Sequence, residues 1–403
     1  MKNLTRMLLR ETAQFIARLL FVFPILPMLY LIEPFWRIRF GVMYTQRIGH
    51  LAGNTDIFLR KQQLYDRPSR TSYIFAGWAP ANQQLMTMFK RQMPVYESRW
   101  LTRIFSYWYV IHKHTRFFEN LAWSNHNYRE FTEGRATLTF TAEEEARGQA
   151  ELKKMGLGEN DWFVCLHTRD SAYLNAWRPQ YSDLWKTREF RNGNIENCLE
   201  AAEYITSQGG FVIRMGAVVE KPLPDLANPK VIDYATKHRS DFMDIFLAAK
   251  TRFFLGTNSG LFVVATIFDR PVALVNMVPY GAFPFHRDDL YIAMLLKNPE
   301  TQKIVTFDEA VDMGYYDVEK MFLTELHADR GFEWVENSPD EILELTREMI
   351  ARQEGQSPTP KEVAVRDLYR DEFMALVPDY EFAGDIGYSF ANKYRHLIEH
   401  TQS

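Results

Sequence analysis

Four consecutive residues, His167-Thr168-Arg169-Asp170, put an imidazole, a guanidinium and a carboxylate directly after a short apolar run, Trp162–Leu166. The run reads as a buried strand, so the polar residues fall where a parallel strand would end. In open α/β sheets, ligands bind at that edge. A guanidinium placed there is a planar fork for phosphate oxygens. On the tetrapeptide alone, a strand end with a solvated ion pair fits equally well. Asp170 is then either a general base or a partner that only orients Arg169.

Other apolar runs end in similar chemistry. Ile213-Arg214-Met215-Gly216 closes one, and Asp233-Tyr234 closes the next, ahead of His238-Arg239-Ser240-Asp241. Gly256-Thr257-Asn258-Ser259-Gly260 follows a fourth, and Asn276 with His286-Arg287-Asp288-Asp289 follows a fifth. Each has a plain reading by itself: Arg214 as a surface cation, Asp241 as a helix N-cap, Asp244 as a first-turn acid, the glycines as turn residues. Together they predict three arginines and a glycine/hydroxyl turn on one sheet edge, a site for a phosphorylated ligand carrying about two negative charges. The Gly256–Gly260 turn would present backbone N–H groups, with the Thr257 and Ser259 hydroxyls, at the start of a helix expected over 260–268. No Lys follows the glycines, so this is not a Walker A loop. No Asp-x-Asp pair occurs either. Arg169, Arg214 and the turn would therefore carry the charge without a metal, and no cofactor is expected.

The elements that must position these groups alternate. Strands are expected over 162–166, 211–215, 231–234, 252–256 and 272–276, with helices over 195–208, 241–249 and 260–268. That rhythm predicts a doubly wound parallel sheet. Helices at 339–353, 360–376 and 388–400 would pack back on the body. Upstream, a strand at 40–44 leads into Gln46-Arg47-Ile48-Gly49-His50-Leu51-Ala52-Gly53-Asn54-Thr55-Asp56. There Gly49 and Gly53 permit tight turns, and Asn54-Thr55-Asp56 can cap a helix around a small-ligand pocket. A strand over 71–77 and helices over 81–91, 100–111 and 142–155 complete this half, with a boundary near the last. The expected division is 1–39, 40–150, 151–335 and 336–403.

The chain has 403 residues, 46% hydrophobic and 24% charged, with a net charge of −4 that gives no reason to expect nucleic acid as a partner. Its two cysteines, Cys165 and Cys198, exclude a disulfide scaffold and fit a cytoplasmic location. Leu19–Ile32 is fourteen uncharged, mostly apolar residues with Lys2, Arg6, Arg10 and Arg18 before it and Arg37 and Arg39 after. Three readings stay open: a helix lying in the membrane interface, with peripheral contact through residues 8–39; a spanning helix, though Arg18, Pro24 and Pro27 interrupt it; or a helix packed on the body. Trp100, Tyr107, Trp108, Tyr109, Trp177 and Trp185 either stack on sugar faces or fill the core, and His112 and His114 lie among them.

The motifs at 167–170, 173–174, 181–192, 213–216, 232–235, 239–244 and 254–260 resemble a family of bacterial glycosyltransferases of surface-polysaccharide loci, and Arg47-Ile48-Gly49-His50-Leu51 resembles its N-terminal motif. The resemblance spans roughly residues 40–330 and is more specific in the C-terminal half. More distantly, the strand before His-x-Arg and the later Ser-bearing Gly turn are similar to GT-B fucosyltransferases. One Arg rather than two follows His167, which argues against GDP-fucose as donor.

The resemblance implies a GT-B-like α/β fold, with two Rossmann-like domains facing a cleft and an apolar N-terminal helical segment. The donor would be a nucleotide-diphosphate sugar and the acceptor a glycan or lipid-linked oligosaccharide. It implies that Arg169 contacts the diphosphate, His167 shapes the turn, Asp241 faces the nucleoside, and Thr257, Asn258 and Ser259 hold phosphate; Arg214, Gly216, Gly256 and Gly260 belong to the same group. Arg47, Gly49, His50 and Asn54 would line the acceptor side, with Asp170 first and His50 second as candidate bases. Inversion at the anomeric carbon is a family-level expectation. Two rivals remain: a phosphohydrolase or kinase on a similar sheet, and a nucleotide-sugar-binding protein without catalysis.

Overall fold

The computed structural model describes residues 2–66, 69–122, 128–186, 189–224, 226–278, 284–316, 331–376 and 383–398. They fall into two compact units, Met1–Ser124 with Gly134–Thr139, and Asn125–Glu133 with Phe140–Ser403.

The first unit runs α1 (Lys2–Leu20), a π-helical turn (Phe21–Ile25), α2 (Leu26–Ile32), β1 (Arg37–Val42), α3 (Ile48–Leu64), β2 (Thr71–Gly77), α4 (Gln83–Gln92), β3 (Val95–Glu97) and α5 (Arg99–His112). Strands β1, β2 and β3 pair in parallel in that order. Asn82 and Ser98 cap α4 and α5 by accepting from the amides of Leu85 and Leu101. The segment 1–39 is part of this unit, because Phe21 and Leu29 enter one core with Phe40, Phe105 and Phe117.

Helix α3 corrects the reading of residues 49–56. Gly49 lies in its first turn, Gly53 lies inside it, and Asn54-Thr55-Asp56 are mid-helix rather than a cap. Residues 51–60 are all buried, so packing around the whole helix outweighs the local preference of Asn, Thr and Asp for a helix start. Asp56 and Arg60 form a fully buried i,i+4 ion pair at 2.5 Å, and the Thr137 hydroxyl donates to the other Asp56 oxygen at 3.0 Å.

The second unit opens with α6 (Tyr128–Thr132) and α7 (Ala142–Lys154), and continues β4 (Phe163–His167), α8 (Ala172–Trp177), α9 (Ser182–Lys186), α10 (Leu199–Ser207), β5 (Phe211–Arg214), β6 (Val231–Ile232), α11 (Tyr234–Lys237), α12 (Asp241–Lys250), β7 (Phe254–Thr257), α13 (Phe262–Ile267) and β8 (Val272–Met277). It closes with β9 (Leu290–Ala293), β10 (Leu295–Lys297), α14 (Phe307–Asp312), β11 (Glu333–Val335), α15 (Pro339–Gln353), α16 (Pro360–Leu376), β12 (Asp385–Ile386) and α17 (Tyr388–Lys393). Residues 399 and 400 of the helix expected over 388–400 lie outside the described residues.

Helix α7 belongs to this second unit. A Thr141–Glu144 capping box starts it, and Gly148 sits so close to the Phe246 ring that a Cβ would lie 2.2 Å from it. The tail also belongs here, since α15 packs on α10 and β12 pairs with β9.

Seven strands form one sheet in the order β12-β9-β8-β7-β4-β5-β6, every neighbouring pair parallel. The inner strands β4, β5, β7 and β8 are almost wholly buried, as continuous apolar runs covered on both faces should be. From β4 the chain builds outward through β5 and β6, then returns to the other flank for β7, β8 and β9. The order therefore reverses between β4 and β7, which is the switch point of a dinucleotide-type doubly wound sheet.

Candidate functional site

The two most specific motifs flank that switch point. His167-Thr168-Arg169-Asp170 runs off the C-terminal end of β4, and Gly256-Thr257-Asn258-Ser259-Gly260 runs off the end of β7, with His167 paired to Gly256. A Cβ on Gly256 would lie 2.0 Å from the His167 carbonyl oxygen, so only glycine permits this approach of the two strands. The Arg169 amide donates to the Thr257 hydroxyl at 2.8 Å and joins the two loops.

A third segment packs across both loops. The Gly193 amide donates to the Arg169 carbonyl at 3.0 Å, and the Arg169 guanidinium donates to the Asn192 side-chain oxygen. Asn192 donates in turn to the Ser171 hydroxyl at 2.8 Å, and Arg191 donates to the Asn258 carbonyl at 2.7 Å. A Cβ on Gly193 would meet Thr257 at 2.9 Å and Asn276 at 3.2 Å. Two half-buried guanidiniums, from Arg169 and Arg191, are thus held at the crevice by neutral oxygens.

Sequence reasoning missed Arg191. It ends a single 3₁₀ turn, Glu189–Arg191, rather than a strand, and Asn192 is 23 residues from Arg169. The Asn192-Gly193 pair, a turn signal, is the one local clue.

His167 supports the β4 turn. Its Nδ1–H donates to the Met215 carbonyl at 3.1 Å, which leaves Nε2 unprotonated, and burial lowers its pKa to about 4. The imidazole is neutral at pH 7. Asn258 donates to the Val278 carbonyl at 2.9 Å, and Ser259 accepts from the Leu261 amide at 3.4 Å. Helix α13 covers only Phe262–Ile267 instead of 260–268, because residues 258–261 form bends and turns.

Several expected ligands do other work. Arg214 is buried and bonds Asp233 at 3.0 Å and the Lys221 carbonyl at 3.0 Å, so it secures the loop after β5 and presents no open cation. Burial pushes the Asp233 carboxyl up, but hydrogen bonds from Thr236, the Leu223 amide and Arg214 outweigh it and hold the pKa below its ordinary value. Gly216 lies in the same loop, with Val219 against it. Asp170 accepts from the Ala172 amide at 3.0 Å and the Glu220 amide at 2.9 Å, one per oxygen. It ties two loops together.

The cap of α12 is Ser240, not Asp241, which pairs with Arg239 at 2.8 Å. Asp244 is the buried acid there: it accepts from the Tyr234 hydroxyl at 2.8 Å, and burial pushes it up to about 6 against the opposing pull of Arg239.

The turn His286-Arg287-Asp288-Asp289 is at the opposite edge. Asp289 accepts from the amide of Val272, the first residue of β8, and immediately precedes β9. That is the N-terminal end of the sheet, so these residues leave the predicted cluster. Asn276, the next-to-last residue of β8, has φ 50° and forms a reciprocal pair with Asn337, each amide donating to the other's side-chain oxygen at 2.6 and 2.7 Å.

Arg47, Gly49, His50 and Asn54 lie in the first unit. Arg47 occupies the N-cap position of α3 without a side-chain cap bond. His50 shares a hydrogen bond of 3.3 Å with Asn54, and burial followed by the Arg47 charge lowers its pKa. Asn54 donates to the Leu121 carbonyl at 2.6 Å and is a packing residue. Trp108 and His112 sit in the core against Phe21, and Trp177 stacks on Trp185.

No family model matches the chain, and no curated protein sequence matches it significantly. Among solved structures, it is similar to the bacterial iron-containing dodecameric glycosyltransferase TibC from enterotoxigenic E. coli H10407, at 14% identity over 61% of this chain and 60% of that one, TM-score 0.34. TibC described as a heptosyltransferase in complex with ADP-D-beta-D-heptose gives 12% identity over 61% and 59%, TM-score 0.33. A family 9 glycosyl transferase from Veillonella parvula DSM 2008 gives 9% over 59% and 80%, TM-score 0.35. The chain spans about three-fifths of the length of TibC.

Proposed function

We propose that this chain is a GT-B-like glycosyltransferase that moves a sugar from a nucleoside-diphosphate donor to a glycan or lipid-linked acceptor, inverting and without a metal ion. It would work on the cytoplasmic side of the membrane. The carrying observation is the switch point between β4 and β7, where Arg169 and Arg191 are held beside Thr257 and Asn258.

When a nucleoside diphosphate leaves, negative charge grows on its β-phosphate. Fixed guanidiniums aimed there stabilise the transition state more than the ground state. Arg169 and Arg191 would supply that charge, in place of the Arg169–Arg214 pair that sequence suggested. Phosphate oxygens can replace the neutral Asn192 and Asn258 oxygens these guanidiniums touch with stronger, charge-assisted bonds. Asp241, half-exposed at the start of α12, remains the candidate for the nucleoside. Of the two candidate bases, His50 has the neutral imidazole that proton acceptance needs at pH 7, whereas both Asp170 oxygens already take backbone amides.

The test is a thermal-shift screen of the purified chain against GDP, UDP, CMP, TDP and ADP, with and without Mg²⁺. A ligand at 100 times its Kd stabilises the native state by about 2.7 kcal/mol, which is roughly 5–10 °C for a unit of this size. One nucleoside diphosphate should give that shift without metal, and both Arg169→Ala and Arg191→Ala should reduce it. A shift seen only with Mg²⁺, or none at all, would refute the proposal.

A further inference from the structure

Glu11–Ile32 is long and apolar enough to cross a membrane by length and composition. Its packing points elsewhere. Phe21 is 0% and Leu29 2% exposed, both in the core of the first unit. Phe21 meets Trp108 at 5.0 Å, Trp108 Nε1 donates to the Ala17 carbonyl at 2.9 Å, and Arg18 Nε donates to the Tyr107 carbonyl at 3.4 Å. One flank of the segment is therefore laid along α5, whose neighbours Arg103, Ser106 and Lys113 are exposed polar groups. A spanning helix would drag that polar surface into lipid, at a cost of several kcal/mol.

The other flank is bare. Phe15 (61%), Phe23 (72%), Leu31 (75%) and Phe35 (73%) are exposed, and Ile16, Leu19, Leu20, Met28 and Tyr30 are exposed with them. Cations sit over aromatic rings in the same unit: Arg116 over Tyr30 at 5.8 Å, Arg103 over Trp100 at 5.5 Å and Lys113 over Tyr109 at 5.6 Å. All three cations are exposed, as are Tyr30, Trp100 and Tyr109. Apolar side chains beside aromatic–cation pairs match an acyl layer beneath anionic headgroups.

We infer that the α1–α2 segment, with the aromatic–cation pairs of α2 and α5, is a monotopic docking surface for an anionic lipid bilayer, lying in the interface and not crossing it. This deepens the membrane-side location given above. It is tested by lipid partition rather than by nucleotide binding, so the two can fail separately.

The experiment is co-sedimentation of the full chain with vesicles of equal parts phosphatidylglycerol and phosphatidylcholine at 100 mM NaCl, followed by an alkaline carbonate wash. The wild type should pellet with these vesicles, bind less as salt rises, and come off in carbonate. Phe23→Ser with Leu31→Ser should weaken partition about ten-fold or more. Arg103→Gln with Lys113→Gln and Arg116→Gln should weaken it about five-fold per residue. All these side chains are exposed, and circular dichroism checks that the variants fold. Failure to bind, unchanged partition of either variant, or retention after carbonate would overturn the inference. So would a dimer in sedimentation velocity that Phe23→Ser with Leu31→Ser dissociates, because a second copy would then cover the face.

Discussion

Replacing His112 by Leu should stabilise the first unit, and increasingly so as the solution becomes acidic. His112 is fully buried at the end of α5, against Phe21 at 5.7 Å and Phe118 at 4.5 Å. Among the described residues neither ring nitrogen has a well-formed hydrogen bond, and burial lowers its pKa from 6.5 to about 4 against a smaller opposing pull from the Phe105 and His112 backbone. Above pH 6.5 the imidazole is neutral in both folded and unfolded chains, and its acid penalty is absent. As pH falls from 6.5 towards 4, the unfolded chain takes up a proton that the folded chain refuses, so stability is lost. At 1.36 kcal/mol per unit, the loss is about 2 kcal/mol at pH 5 and approaches ~3.4 kcal/mol below pH 4. Leu has no such titration. It also relieves an unpaired buried polar group, for about 1–3 kcal/mol at any pH, less the cost of its different shape. The assay is hydrogen exchange of the α5 amides of wild type and His112→Leu in increasing urea, at pH 7.5 and pH 5.0, corrected for intrinsic exchange rates. The variant's advantage should widen by about 2 kcal/mol between the two pH values. A constant difference, whatever its sign, would refute the argument that this imidazole is buried and unpaired.

Three further outcomes follow from the packing. Gly256→Ala must push a methyl against the His167 carbonyl, so it should cost about 3 kcal/mol or prevent folding of the second unit, read by its melting temperature; a neutral result would mean that β4 and β7 are not so close. Asn337→Ala removes the side chain's bonds to the Asn276 amide and the Ala293 carbonyl, while the Asn337 amide keeps its bond to Asn276, and should cost roughly 2–4 kcal/mol in a urea melt. Burial pushes both thiols, Cys165 and Cys198, up to about 12, so Ellman's reagent at pH 8 should find no reactive thiol in the native chain and two in urea; one fast-reacting thiol in the native chain would contradict that burial.

The sheet was legible because its inner strands are continuous apolar runs separated by helical stretches, and those signals are local. Residues 167–170 and 256–260 were legible as a pair for the same reason: each stands at the end of such a run. What failed depends on distant partners. Nothing in Ile213-Arg214-Met215-Gly216 tells that Asp233 will take up the guanidinium. The short strands β9 and β12 exist because they extend the sheet beyond β8, and without them Arg287 and Asp289 looked like strand-end residues on the ligand edge. Asn54-Thr55-Asp56 has the composition of a helix start, and only the burial of every residue from 51 to 60 makes it a helix middle. Arg191 ends a 3₁₀ turn too short for any periodicity to mark it.

The reciprocal Asn276–Asn337 pair bears on how this chain can be recombined. Glu336 and Asn337 bond the Asn194 amide, the Asn276 amide and the Ala293 carbonyl, so they connect the loop carrying Arg191, the end of β8 and the end of β9. A chimaera or truncation cut at 335, where the sequence suggests that a tail begins, would sever this junction just beside the candidate ligand crevice. The smallest exchangeable module is the sheet together with α15, α16 and β12. Exchanging the crevice between such chains would then require grafting its loops into a retained tail, or moving the tail along with them.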